Sequence, residues 1–415
     1  GSFLRHSSSA NQILSGVISG VGGLTKDTSA TSTLTLRAAN TFTGTTTVSA
    51  GTLALDYASS NGSKLADAAA LVLGSGTLSL AGASGNHTEL VASTTINGAA
   101  SITRSGANTP KINLGAITLT GGVLDVSESG TLASTTTALD AGYLLAGVTV
   151  NGALATKDAS DNIVSNTAFV DVNRRGGLIA TDTTTNVRII EAGASGNVSM
   201  TAGGTTGINT LTNSGTGGAS TVDIGVGNTL RLGAFGSVIA GPTSAGLTFT
   251  NGTLTAGGAA NTAGTVAITN NSALPATVNS LLANNGTGVV ALTVNGTGGT
   301  TLTAANTFTG ATAISTGSSL TVTGTGSLGG GTYAGTISNG GTLRYSSSTN
   351  QTLSGIISGT GSLIKDTSGS TLTLTSKNPY SGGTTVNTGM LSLSGTGGVD
   401  GIIIGEVTVN TGATL

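Results

Sequence analysis

His87 and Glu89 stand two residues apart, so on an extended strand they share a face. An imidazole and a carboxylate so placed can bind a metal or act as general base and acid. A metal centre takes three or four protein ligands, and the only other histidine is His6. The pair therefore reads as a solvated surface pair. The densest charge lies in residues 157–191, which hold Lys157, Asp158, Asp161, Asp171, Arg174, Arg175, Asp182, Arg188 and Glu191. Carboxylates clustered with Lys or Arg can cleave polysaccharides in a groove. The mixed signs and the scarcity of aromatics for stacking sugar rings favour an irregular excursion held by salt bridges instead. Lys26-Asp27 and Lys365-Asp366 occupy equivalent places in two similar stretches. A repeated ligand site is one reading, and an Asp-capped turn the preferred one. Phe42, Phe308 and Tyr380 share one motif position and read as corner packing rather than surface contacts. No phosphate loop, His-Glu-x-x-His, Ser elbow or Ca²⁺-binding nonapeptide is present. No catalytic, cofactor-binding or metal-binding residue is assigned, and stability is expected to be independent of metal and redox state.

The elements that must position these groups follow from composition. The chain has 415 residues and 69 glycines, with 7% charged and 3% aromatic residues. An ordinary soluble domain is about 25% charged and ~7% glycine. There is no Cys and no Trp, and Gln occurs only at Gln12 and Gln351. Helical bundles need Glu, Lys, Gln, Arg and Leu, whereas Gly, Thr, Ser, Asn and Val dominate here. Four prolines and no glycine period exclude collagen. A mean hydropathy of +0.28 excludes a charged disordered tail. No run of about 20 apolar residues can span a membrane as a helix, and a net charge of −2 gives no reason to expect nucleic acid. The opening Gly1-Ser2-Phe3-Leu4-Arg5-His6 has no signal-peptide character and reads as a processed or truncated start.

Internal repetition is plain. Leu4-Arg5-His6, Asn11-Gln12-Ile13-Leu14-Ser15-Gly16 and Gly23-Leu24-Thr25-Lys26-Asp27 match Leu343-Arg344-Tyr345, Asn350-Gln351-Thr352-Leu353-Ser354-Gly355 and Ser362-Leu363-Ile364-Lys365-Asp366 at one constant offset. Thr33-Leu34-Thr35-Leu36 and Asn40-Thr41-Phe42-Thr43-Gly44 match Thr371-Leu372-Thr373-Leu374 and Asn378-Pro379-Tyr380-Ser381-Gly382. A third partial copy reads Thr301-Leu302-Thr303, then Asn306-Thr307-Phe308-Thr309-Gly310. Alternating Thr-Leu-Thr-Leu predicts strands with one buried face, with Leu34, Leu36, Leu372 and Leu374 inward. Asn-Gly pairs at 61, 97, 151, 251, 295 and 339 predict turns of positive φ. Short half-polar strands in such number cannot form one ordinary core. A coil that stacks each turn on the last pairs every backbone group and encloses a narrow apolar column.

The strings 13–55 and 352–393 resemble the autotransporter-associated β-strand repeat of bacterial passenger regions, as does 299–322 more loosely. The resemblance implies an all-β, right-handed parallel β-helix (β-solenoid), elongated, at the bacterial cell surface, with no catalytic residues. With about 20–29 residues per coil and ~4.8 Å per coil, the rod would be about 70–100 Å long. The expected organisation is a β-solenoid over 1–150, a charged irregular excursion over 151–191, and a solenoid over 192–415 with repeat copies at 299–322 and 342–393. The excursion is expected to be cut first by trypsin, at Arg174 or Arg175. The expected function is a non-enzymatic extracellular surface protein: a rigid stalk, adhesin or structural fibre. The alternative is a β-helical polysaccharide lyase or hydrolase using the 157–191 cluster. Both chain ends are in phase with the repeat, so the expected partners are a second copy stacked end to end or a continuing solenoid, with possible polysaccharide contacts.

Overall fold

Strands form where the alternation demands them. Thr33–Leu36 and Thr371–Leu374 each turn both leucines into a core and both threonines outward. A computed structural model describes residues 2–28, 31–82, 87–106, 109–120, 122–139, 144–201, 203–367, 369–394 and 403–415. The chain divides into two units, Gly1–Thr167 and Ala168–Leu415. Both are parallel β-solenoids. Apart from the 3₁₀ turn Gly329–Gly331, the described residues contain no helix, and none long and apolar enough to cross a membrane.

In the first unit Phe3–His6, Gly23–Lys26, Thr46–Val48, Ala70–Leu73, Ser93–Ile96 and Ala116–Leu119 lie side by side in one parallel sheet. A second sheet runs from Gln12–Leu14 through Thr33–Leu36, Thr52–Asp56 and Thr77–Gly82 to Val148–Val150. It then turns antiparallel through Ala153–Lys157 and Ile163–Ser165. A short third sheet joins Thr88–Leu90, Lys111–Asn113 and Ala133–Ser134. Successive turns of chain add rungs to these sheets, which is how short strands that cannot stand alone acquire partners above and below.

The second unit repeats the plan. An inward column runs Val222, Phe249, Val278, Leu302, Val322, Tyr345, Lys365, Val386 through successive parallel rungs. Coil lengths vary and loops outside the strands absorb much of the variation, while the pairing of Asp182–Ile190 with Thr205–Asn213 shifts register between Asp182 and Asn186. Residues 151–191 are divided between the units. The antiparallel strands 153–165 close the first, and Val170–Asn173 with Asp182–Ile190 opens the parallel ladder of the second.

The Asn-Gly pairs differ among themselves. Asn151-Gly152 and Asn251-Gly252 take positive φ at both residues, and Asn295-Gly296 only at glycine. Asn61-Gly62, Asn97-Gly98 and Asn339-Gly340 take it at neither, contrary to the expectation from the dipeptide alone. Asn339 serves differently: its side chain donates to Ser362 O (2.8 Å) one coil on and accepts from Gly341 N (3.2 Å). A coil-to-coil bond is added to the local Asx bond, and neither needs positive φ.

Candidate functional site

The repeated Asn-x-Phe/Tyr-x-Gly string builds one corner three times. Asn40 accepts the N–H of Ile18 (2.9 Å), Asn306 that of Leu282 (2.9 Å) and Asn378 that of Ile357 (2.8 Å), each from the preceding coil. These amides carry the inter-coil bond where the strand ladder lapses, and a buried N–H left unpaired there would cost ~1–3 kcal/mol. Two residues on, Phe42, Phe308 and Tyr380 are buried, so the corner-packing reading holds. The glycines that follow admit no side chain. A Cβ on Gly44 would lie 2.5 Å from the Gly22 backbone, on Gly310 2.4 Å from Val290 O, and on Gly382 2.5 Å from the Gly361 backbone. Polar rung, aromatic filler and close backbone approach are the three demands of a tight stacked corner.

Charge is used in two ways. Arg5 reaches Asp27 and Arg344 reaches Asp366, each across one coil at equivalent places. Asp27 also accepts from Ser7 (2.7 Å), and Asp366 from Ser346 (3.2 Å) and Asn387. Burial alone would raise both carboxyls, but these hydrogen bonds and the facing guanidinium leave them below the usual carboxylate range. The aspartates are thus coil-to-coil clamps rather than local turn caps. Lys26 and Lys365 beside them are fully buried in the inward columns. Their ammonium groups donate to backbone carbonyls: Lys26 to Thr28 and Ala50 (3.3 Å), Lys365 to Thr367. Burial lowers both lysine pKa values, against the raising effect of the adjacent aspartate.

The charged stretch is spent on structure. Asp171 and Arg188 pair at 2.7 and 2.9 Å, with the guanidinium over the Phe169 ring at 4.8 Å. Arg188 holds the Asp171 carboxyl down. Arg175 pairs with Glu191, and Lys157 with Asp161 (2.8 Å). Asp158 and Asp182 accept from their own turns, Asp158 from Ser160 N (2.8 Å) and Asp182 from Thr184 N (2.9 Å). Arg174 departs from the expectation of a readily cut site in an irregular excursion over 151–191. It lies in a turn but is wholly buried, donating to Gly193 O (3.0 Å), Thr216 O (3.1 Å) and Gly218 O. A guanidinium carries five donors in a fixed fork, and here it gathers carbonyls from three places in the chain.

His87 and Glu89 also depart from expectation. Glu89 is fully buried rather than solvated. Its carboxylate accepts Tyr57 Oη (2.5 Å), Lys64 N (3.0 and 3.1 Å) and Leu65 N (2.8 Å). His87 stacks on Tyr57 with ring centres 5.0 Å apart, and its Nε2 lies 3.5 Å from Glu89 Oε2. Lys64, also buried, donates to Ser60 O and Gly62 O (both 2.8 Å), 4.8 Å from the Tyr57 ring centre. Burial pushes Glu89 above the usual carboxylate range and Tyr57 strongly upward, and it pulls Lys64 down. Sequence spacing placed His87 beside Glu89 but gave no sign of Tyr57 or Lys64, which arrive from the preceding coil. No group of three or more His, Cys, Asp and Glu side chains that could hold a metal exists among the described residues. His6 stands apart from His87, on the first strand.

Residues 31–55, 292–318 and 367–393 match the family model described as the passenger-associated-transport-repeat. Each match contains one of the three corners built on Asn40, Asn306 and Asn378. No curated protein and no solved structure matches the chain. The repeat and the β-solenoid fit an autotransporter passenger-like surface protein.

Proposed function

We propose that the protein is a non-enzymatic, extracellular bacterial surface protein whose β-solenoid serves as a rigid stalk, adhesin or fibre. The observation that carries this reading is where the polar and charged side chains go. Asn40, Asn306 and Asn378 bond coil to coil, Arg5–Asp27 and Arg344–Asp366 clamp coil to coil, and Lys26, Arg174 and Lys365 cap carbonyls inside. Catalytic groups in a groove would instead converge on open space with perturbed pKa values. The carboxylates of residues 157–191 are bound to their own neighbours, which speaks against the lyase or hydrolase alternative. Continuous backbone ladders supply stiffness and repetition supplies length.

Incubation with acidic polysaccharides, followed by a reducing-end assay, tests the reading. No release of reducing ends is expected. Robust turnover abolished by Asp171→Ala would replace the structural function with an enzymatic one.

A further inference from the structure

The Asn-Gly pairs share a latent chemistry. The glycine N–H, once it gives its proton to hydroxide, can attack Cγ of the preceding asparagine. A C–N bond closes a five-membered succinimide as the Cγ–Nδ2 bond breaks, and Nδ2 leaves as ammonia with a proton from water. Water then opens the ring at one of its two carbonyls. Opening at Cγ gives aspartate. Opening at the main-chain carbonyl gives an isoaspartyl link, in which the main chain runs through Cγ. The net reaction turns a side-chain amide and water into a carboxylate and ammonium. Glycine serves because no Cβ obstructs the ring. The chain must also be free to bend and the N–H free to lose its proton.

Five of the pairs are held. Asn295 and Asn339 are buried, and the Gly340 N–H donates to Ile314 O (2.7 Å). Asn97 follows the strand Ser93–Ile96, its N–H donates to Leu73 O (3.0 Å), and Gly98 O accepts from Val123 N (3.0 Å), so coils on both sides fix it. Gly152 N–H donates to the Asp125 carboxylate (2.8 Å), a charge-assisted bond that retains the proton the reaction must remove. Asn251 spends its Nδ2 on Asp223 Oδ1 (2.8 Å). Asn61 differs. It is exposed, in the 57–69 stretch that leaves the ladder between Thr52–Asp56 and Ala70–Leu73. The Gly62 N–H reaches only the Ser60 hydroxyl, at 3.4 Å. Lys64 Nζ gathers the carbonyls on either side, Ser60 O and Gly62 O (both 2.8 Å), and so turns Asn61 outward.

We propose that Asn61-Gly62 is a modification site at which the native protein deamidates ahead of the other Asn-Gly pairs. The product adds a negative charge to the loop. Its isoaspartyl form also lengthens the main chain between the two carbonyls that Lys64 caps, which loosens that cap.

Native protein held at mildly alkaline pH, sampled over days and digested with trypsin, tests this by mass spectrometry. The tryptic peptides 38–64 and 65–104 carry Asn61 and Asn97 separately, and fragment spectra separate the rest. Asn61 should convert about tenfold or more faster than the other pairs, which react only when their surroundings open. In denaturant the rates should draw together, because the dipeptide is the same. Conversion at Asn61 no faster than at Asn97, Asn151 or Asn251 in the native protein would overturn the proposal. So would an undiminished spread of rates in denaturant, which would assign the difference to neighbouring sequence and not to the fold.

Discussion

Arg344 reaches Asp366 in the next coil, 22 residues on, as Arg5 reaches Asp27 across the same interval in the first unit. The repetition of this clamp beside two buried lysines, Lys26 and Lys365, marks it as part of the coil's construction. It also sets a pH dependence. A carboxyl held below its usual range stabilises the fold above that range, and the contribution disappears as pH falls through the lowered value. Asp366→Asn should therefore lower the melting temperature slightly at neutral pH, by ~1 kcal/mol or less because Arg344 is half exposed. The gap between wild type and variant should close as pH falls below the usual carboxylate range. A gap that persists in acid would assign the loss to hydrogen bonding alone.

Glu89 runs the opposite way. A carboxyl raised on folding contributes stability that is full below its unfolded value and is lost as pH rises through the folded value. Chemical unfolding followed from about pH 4 upward should show a decline in the first unit's stability that Glu89→Gln removes. An identical slope in the two proteins would contradict the burial described for this carboxyl.

The core alternation predicts unequal costs for adjacent residues. Leu372 is fully buried and Thr373 faces out. Leu372→Ala should cost ~2–5 kcal/mol in the second unit, and Thr373→Ala well under 1 kcal/mol, within about the range of ordinary surface changes. Denaturant unfolding of the two variants checks this, and equal losses would mean the strand faces are misassigned.

This alternation was legible in the sequence because period 2 is a local property, and so were the repeated corners, because the same string recurs at Asn40, Asn306 and Asn378. Arg174 and Glu89 were misread for one reason. Their burial depends on what a neighbouring coil brings against them: the carbonyls of Gly193, Thr216 and Gly218 for the first, Tyr57 and the 64–65 amides for the second. No local pattern encodes such partners. Charge density at 157–191 suggested an irregular excursion held by salt bridges; the ion pairs are there, but they hold turns and ladder rungs. The corner residues Asn40, Asn306 and Asn378 were legible as a repeated string, but not that most of their side-chain bonds run between coils.

Arg174 and Arg175 separate this account from a simple surface loop. Arg174→Met leaves three carbonyls without their donor and should cost on the order of 3 kcal/mol, whereas Arg175→Ala removes one exposed pair and should cost ~1 kcal/mol or less. Trypsin should spare the Arg174 bond in the native protein and reach Arg175 first. Prompt cleavage after Arg174, shown by mass spectrometry of the first fragments, would contradict its burial.

The coil-on-coil parallel register carries everything above, and the absence of native cysteine allows it to be read directly. Thr277, Thr301 and Thr321 are consecutive Cα partners on adjacent rungs, and all three side chains face outward. Nitroxide labels on a Thr277→Cys, Thr301→Cys, Thr321→Cys protein should stack at ~4.8 Å spacing. Electron paramagnetic resonance should then show a spin-exchange-narrowed spectrum, absent from each singly labelled protein. A triple-labelled spectrum equal to the sum of three isolated labels would contradict the parallel solenoid.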